Sequence, residues 1–104
     1  MGDAVFIYVT NPSKEEAVRI AKHLLEKKLI ACANIFPINS IYRWEEKRIE
    51  DEEFVLIAKT TSDRSGQVED EVKTTHPYKI PCIVKIPVSA NREYLDWLRD
   101  EVNP

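Results

Sequence analysis

The chain of 104 residues contains only two glycines and two cysteines, and each scarcity excludes a class of site. Phosphate-binding loops and nucleophile elbows need glycines at tight turns, and no such stretch is present. The two cysteines, Cys32 and Cys82, cannot build a disulfide framework, so both are expected to be free thiols. We therefore predict a protein that is not an enzyme and that does not depend on disulfides.

Long apolar runs and an excess of positive charge are also missing. No run approaches the roughly 18 apolar residues of a membrane-spanning helix. The net charge is −3, and the 15 Lys and Arg residues are interspersed with 18 acidic ones, so no basic surface is formed. The start, Met1-Gly2-Asp3, lacks the basic region of a secretory signal. We predict a cytoplasmic protein that neither spans a membrane nor binds nucleic acid.

The residues that are present indicate one globular domain over residues 1–104. Hydrophobic residues make up 43% and charged residues 32%, as in soluble domains of this length. Ser13 and Glu16 form a capping-box pattern at the start of a helix. Its apolar stripe is predicted to be Ala17, Val18, Ala21, Leu24 and Leu25. A weaker helix is predicted from residue 62 or 63 to 75, and a final helix over 92–101.

Two segments, 30–44 and 49–61, have the composition of strands but exceed the ordinary length of ~5–6 residues. A polar turn joins them, so they form a hairpin of roughly 40 Å, longer than a domain of this size is wide. Pro37 requires a bulge or an edge position in the first of the two. The tip carries Tyr42 and Trp44, which favours pairing with another chain.

The element order is β-α-β-β-α-β with a C-terminal helix, because strands are also predicted over 4–10 and 81–87. This α+β order is typical of the ferredoxin-like fold, in which both crossover helices lie on one face of an antiparallel sheet. We therefore predict that fold for the whole chain.

Four separated motifs now resemble one known family in order and spacing, over nearly the whole chain. They are "LIACANIFPINSIYRWEEK" (29–47), "KTT" (59–61), "HPYKIP" (76–81) and "YLDWL" (94–98). Together they are similar to the CutA1 divalent-cation tolerance proteins. The resemblance implies a homotrimer of ferredoxin-like subunits, paired through the edges of their long hairpins and similar in architecture to the PII signalling proteins. It also implies a role in tolerance of copper or other divalent metals.

The chain departs from the family pattern at informative positions. Glu46 stands where the hairpin tip of the family usually has glycine. The copper ligands described for some bacterial members correspond here to Val9, Thr75 and His76, so the resemblance retains only one of three ligand types.

His76 and Cys32 are the candidate metal ligands, with Cys82 as the alternative thiol, for copper or another divalent cation. Imidazole and thiolate suit such ions, but transition-metal sites usually need three or four ligands. Alternatively, His76 ends the second helix and bonds a terminal carbonyl, while Cys32 is a packed thiol among apolar neighbours. The residues alone favour these packing roles. The acidic run at 50–53 is predicted to be solvated, as is His23 on the polar side of the first helix.

Lys59, Tyr42 and Trp44 are the candidate residues of a ligand cleft between subunits. A lysine within a core strand needs a partner, either a carboxylate of a neighbouring subunit or a bound anion. The aromatic residues either surround a ligand or pack at subunit contacts. Three functions stay open: a trimeric metal-tolerance protein, a PII-like sensor of a small anion, and a trimeric scaffold for another protein.

Overall fold

One four-stranded antiparallel sheet organises the protein, of which the computed structural model describes residues 3–103. Its strands are β1 (Ala4–Asn11), β2 (Cys32–Trp44), β3 (Lys47–Thr61) and β4 (Ile83–Val88), in the spatial order β2-β3-β1-β4. The helices are α1 (Lys14–Glu26), α2 (Ser65–Thr75) and α3 (Arg92–Val102). This is the predicted ferredoxin-like order with its C-terminal helix, and the α+β prediction is confirmed.

The first helix starts where predicted but turns a slightly different face to the core. The Ser13 hydroxyl accepts a hydrogen bond from the Glu16 N–H at 3.2 Å, which satisfies one donor of the first turn. The buried residues are Ala17, Ile20, Ala21 and Leu24. Leu25 is 41% exposed, so the prediction that it faces inward was wrong. The stripe follows the spacing i, i+3, i+4, i+7, and Leu25 lies at its flank.

The second helix begins later than predicted. A 3-10 turn at Ser62–Arg64 precedes it, and α2 itself starts at Ser65 with its inner residues Val68 and Val72 fully buried. The last strand likewise starts at Ile83 rather than at residue 81. Within residues 3–103, no helix combines the length and the apolar character that crossing a bilayer requires.

The core lies between the sheet and the helices α1 and α2. It contains the inward residues of β1 and β3, among them Ile7, Val9, Leu56 and Ala58. The opposite face of the sheet is only partly covered, because α3 contacts it at one end. Large apolar side chains on this second face remain half-exposed: Phe36 39%, Val84 46% and Ile86 42%. We call these three residues the open sheet face.

The hairpin of β2 and β3 is as long as predicted. The two strands pair continuously from Cys32 opposite Lys59 to Trp44 opposite Lys47. The molecule measures 45 × 25 × 20 Å as a result. Pro37 pairs in register opposite Phe54. Proline is tolerated there because β2 is an edge strand, which is one of the two predicted outcomes.

Candidate functional site

His76 connects the end of α2 to the end of β1 and is nearly buried, at 9% exposure. Its Nε2 lies 2.8 Å from the Thr10 carbonyl oxygen, and its Nδ1 lies 3.0 Å from the Tyr78 backbone N. A carbonyl can only accept and a backbone N–H can only donate, so the ring is neutral with its proton on Nε2. Both ring nitrogens are therefore occupied by protein groups.

The packing role of His76 differs in one detail from the expectation. Its ring bonds the Thr10 carbonyl of a neighbouring strand, 66 residues away in sequence, and not a carbonyl at the end of its own helix. The helix end is instead closed by the backbone, since the His76 N–H donates to the Val72 carbonyl at 2.9 Å.

Cys32 lies in a different part of the sheet, beside Lys59. The two residues are direct partners in the β2–β3 ladder, and Lys59 in turn pairs with Phe6 of β1. Phe6 and Thr10 are four residues apart on one strand, or roughly 13 Å, and Cys32 also lies two strands to the side of Phe6, so His76 and Cys32 are farther apart than this. Among residues 3–103, no group of three or more His, Cys, Asp or Glu side chains is arranged to hold a metal ion.

Lys59 contacts aromatic faces. Its Nζ lies 5.0 Å from the ring centroid of Phe6 and 5.9 Å from that of Tyr94, both within cation–π range. Burial raises the pKa of the Tyr94 hydroxyl, and the Cys32 thiol raises it further.

Tyr42 and Trp44 line a groove that does not include Lys59, so the structure separates the three predicted cleft residues. The groove has a volume of about 790 Å³ and lies between the hairpin and the segment 78–82. Its walls are mainly apolar or aromatic and include Tyr8, Ile38, Tyr42, Trp44, Ile49 and Ile80. Cys82, which is exposed, also borders it.

Two carboxylates face this groove, each bonded to a tyrosine hydroxyl. Tyr42 donates to Asp51 at 2.8 Å, and Tyr78 donates to Glu53 at 2.5 Å. Asp51 and Glu53 are two residues apart on β3 and therefore point to the same side of the sheet. Burial, followed by the bond to Glu53, raises the pKa of Tyr78. The bond to Asp51 is the main cause of the raised pKa of Tyr42, so both tyrosines are kept as hydroxyl donors.

Glu53 was missed as a site residue, because the run 50–53 was predicted to be solvated. Glu50, Asp51 and Glu52 are exposed as expected, but Glu53 is only 6% exposed. The alternation of β3 contained the signal. Glu53 shares a face with the apolar residues Val55 and Ile57. His23 also differs from the prediction, since its Nε2 lies 2.6 Å from the Glu71 carboxylate of α2.

The sequence model described as "CutA1 divalent ion tolerance protein" matches residues 5–101. The chain belongs to this family. The CutA divalent-cation tolerance protein of Archaeoglobus fulgidus is 54% identical over 98 residues, covering 93% of this chain and 96% of the relative. The CutA protein of Thermus thermophilus is 48% identical over 96 residues, covering 90% and 93%.

Solved structures of family members agree with the fold. The structure described as the periplasmic divalent cation tolerance protein CutA from Archaeoglobus fulgidus superposes with a TM-score of 0.94 at 52% identity, covering 96% of this chain and 99% of that one. CutA1 from Ehrlichia chaffeensis gives 0.93 at 39% identity, with 100% and 99% coverage.

Proposed function

We propose that this chain is a small cytoplasmic, non-enzymatic protein that contributes to tolerance of copper or another divalent cation. The observation that carries the proposal is the family match over residues 5–101, with relatives named for divalent-cation tolerance. Expression in a bacterium lacking its own relative should restore growth on elevated copper or zinc. Fractionation of the same cells tests the compartment, and growth unchanged by the protein contradicts the proposal.

The metal contact in this proposal is weak. A tight copper or zinc centre needs three or four donors with open lone pairs. Neither ring nitrogen of His76 is open, and Cys32 lies more than roughly 13 Å from it. The donors of one described chain therefore do not fit a resident metal centre. Transient contact through a single thiol or a briefly released imidazole is what this donor set supports.

Calorimetric titration with Cu²⁺ and Zn²⁺ tests the weak contact. We expect binding weaker than micromolar but detectable at millimolar metal, and reduced by Cys32→Ser or His76→Gln. Cys82→Ser is the control, because it also removes one free thiol, and that thiol is exposed. Binding tighter than micromolar contradicts the weak contact, as does the absence of any heat at millimolar metal.

We also propose that the working form is a homotrimer joined through the long hairpins. The open sheet face supports this, because three large apolar side chains stay half-exposed on it. The two outer strands, β2 and β4, also have unpaired edges available to other subunits. Association would remove the open sheet face and the strand edges from water.

Sedimentation of the purified protein should give three times the mass of one chain. Ile86→Glu, on the open sheet face, should dissociate the assembly. Leu25→Glu is the matched control, since Leu25 is exposed to nearly the same extent, 41% against 42%, but lies on α1. A wild-type protein that sediments as a folded single chain contradicts the trimer.

A further inference from the structure

Glu53 is a buried carboxylate whose charge has no cationic partner in the described part of the chain. It is 6% exposed, and its Oε2 accepts the Tyr78 hydroxyl. Six other carboxylates in residues 3–103, such as Glu69 and Glu71, have a Lys, Arg or His nitrogen within 4.0 Å, and Glu53 has none. Burying an unpaired charge is costly, so this side chain calls for a cation.

The surroundings of Glu53 determine what kind of cation fits. The groove of about 790 Å³ falls in the usual range for sites of small organic molecules, roughly 300–1,000 Å³. Among the described residues that line the groove, Lys79 is the one basic residue, and it is exposed and makes no ion pair with either carboxylate. Tyr8 and Trp44 present aromatic rings. Rings of this kind attract an ammonium group and cover an apolar body.

A hard divalent ion suits this groove less well. Such ions need six or more oxygen ligands, and Mg²⁺ in particular gives up its bound waters reluctantly. Each carboxylate here already has one oxygen bonded to a tyrosine, and within residues 3–103 no third acidic group joins the two.

We propose that this groove binds a small organic amine in its protonated form. Glu53 accepts its ammonium group, Asp51 supplies a second negative charge, and the rings of Tyr8 and Trp44 contact its apolar part. The tyrosine hydroxyls orient the two carboxylates, because Tyr42 and Tyr78 each hold one carboxylate oxygen. This binding is independent of the metal-tolerance proposal, since it uses neither His76 nor Cys32.

Titration of the assembled wild-type protein with phenethylamine tests the inference. Binding is measured by calorimetry and by Trp fluorescence. The comparison compounds are phenethyl alcohol, which is neutral, and hydrocinnamate, which is an anion of similar size. We expect the amine to bind at least about 10-fold more tightly than either comparison compound. A hydrogen bond to a charged group changes a dissociation constant by a factor on the order of 10 to 100. Equal binding of the three compounds overturns the proposal, and so does no binding of the amine to the folded protein. The second result is expected if a neighbouring subunit fills the groove.

Variants on β3 locate the contact. Glu53→Gln keeps the shape and the acceptor for Tyr78 but removes the charge, and it should weaken phenethylamine binding by about 10-fold or more. Glu52→Gln is the matched control, since it makes the same change one residue away on an exposed position of the other face. It should change binding less than 2-fold, roughly the scatter of such measurements. Equal effects of the two variants overturn the proposal.

If Glu53→Gln does not fold, Asp51→Asn and the wild-type ligand series still decide it. Displacement of the amine by equimolar Ca²⁺ or Cu²⁺ identifies a metal site instead and also overturns the proposal.

Discussion

Glu46 occupies a backbone conformation that suits glycine, so Glu46→Gly is expected to stabilise the protein. Trp44 and Lys47 pair directly, which leaves Glu45 and Glu46 as a two-residue turn with φ of 50° and 65°. Turns of this type have positive φ at both central positions and favour Asn-Gly. A residue with a Cβ loses roughly 1–2 kcal/mol in the left-handed region. Glycine lowers the stability by about 0.5–1 kcal/mol in turn, because its unfolded chain has more conformational entropy to lose on folding. The net gain should be about 0.5–1 kcal/mol.

The assay is urea unfolding at fixed protein concentration, because association makes stability concentration-dependent. For a chain of this length the gain corresponds to a rise in melting temperature of roughly 2–8 °C. Glu46→Gln controls for the removed charge, since it keeps the strained backbone and should change little. Glu52→Gly controls for glycine in an extended strand and should destabilise by about 0.5–1 kcal/mol. The reasoning is refuted if Glu46→Gly is as destabilising as Glu52→Gly, or if Glu46→Gln gives the whole gain.

Three further changes test the packing and the electrostatics. Tyr78→Phe should lower the free energy of unfolding in urea by about 1.5–3 kcal/mol, because it removes the donor to a buried carboxylate. Tyr42→Phe removes the donor of an exposed pair and should leave the melting temperature nearly unchanged. Equal effects of the two variants would contradict the burial argument. Ile20→Ala should cost about 2–5 kcal/mol and Leu25→Ala much less, because only Ile20 is fully buried; the reverse order would contradict the helix face described above. Contacts with two lysines lower the folded-state pKa of Glu69 from 4.5 to about 2. The stabilisation that ionised Glu69 gives to the folded state is therefore complete above pH 4.5 and declines as the pH falls towards 2. Glu69→Gln should reduce the loss of stability over this pH range. A profile of stability against pH that the variant leaves unchanged would argue against these ion pairs.

Local periodicity was enough to predict most of the fold, since it depends on which face of each element is apolar. The alternation in β3 and the spacing of α1 are properties of neighbouring residues, and so is the cap at Ser13. The errors lie at positions where neighbours in space decide. Ile20 rather than Leu25 faces the sheet because the angle at which α1 packs selects one of two overlapping stripes.

The candidate site was predictable only in pieces, because its residues come together through strand register. Tyr42 and Trp44 were identified from their place at the hairpin tip, and both line the groove. Lys59 was grouped with them, yet the ladder places it opposite Cys32, at the far end of the hairpin from its tip. Glu53 was overlooked because a run of acids suggests solvent, although this one member is only 6% exposed and accepts the Tyr78 hydroxyl.

The sequence alone determined the order of helices and strands, the overlong hairpin and the family, because these follow from periodicity, length and motif spacing along the chain. The tertiary structure decided which polar groups satisfy one another. His76 bonds Thr10 across 66 residues and Tyr78 bonds Glu53 across 25. Hydrogen bonds between such distant segments depend on sheet register and helix packing to within an ångström or so, and no local pattern specifies distances on that scale.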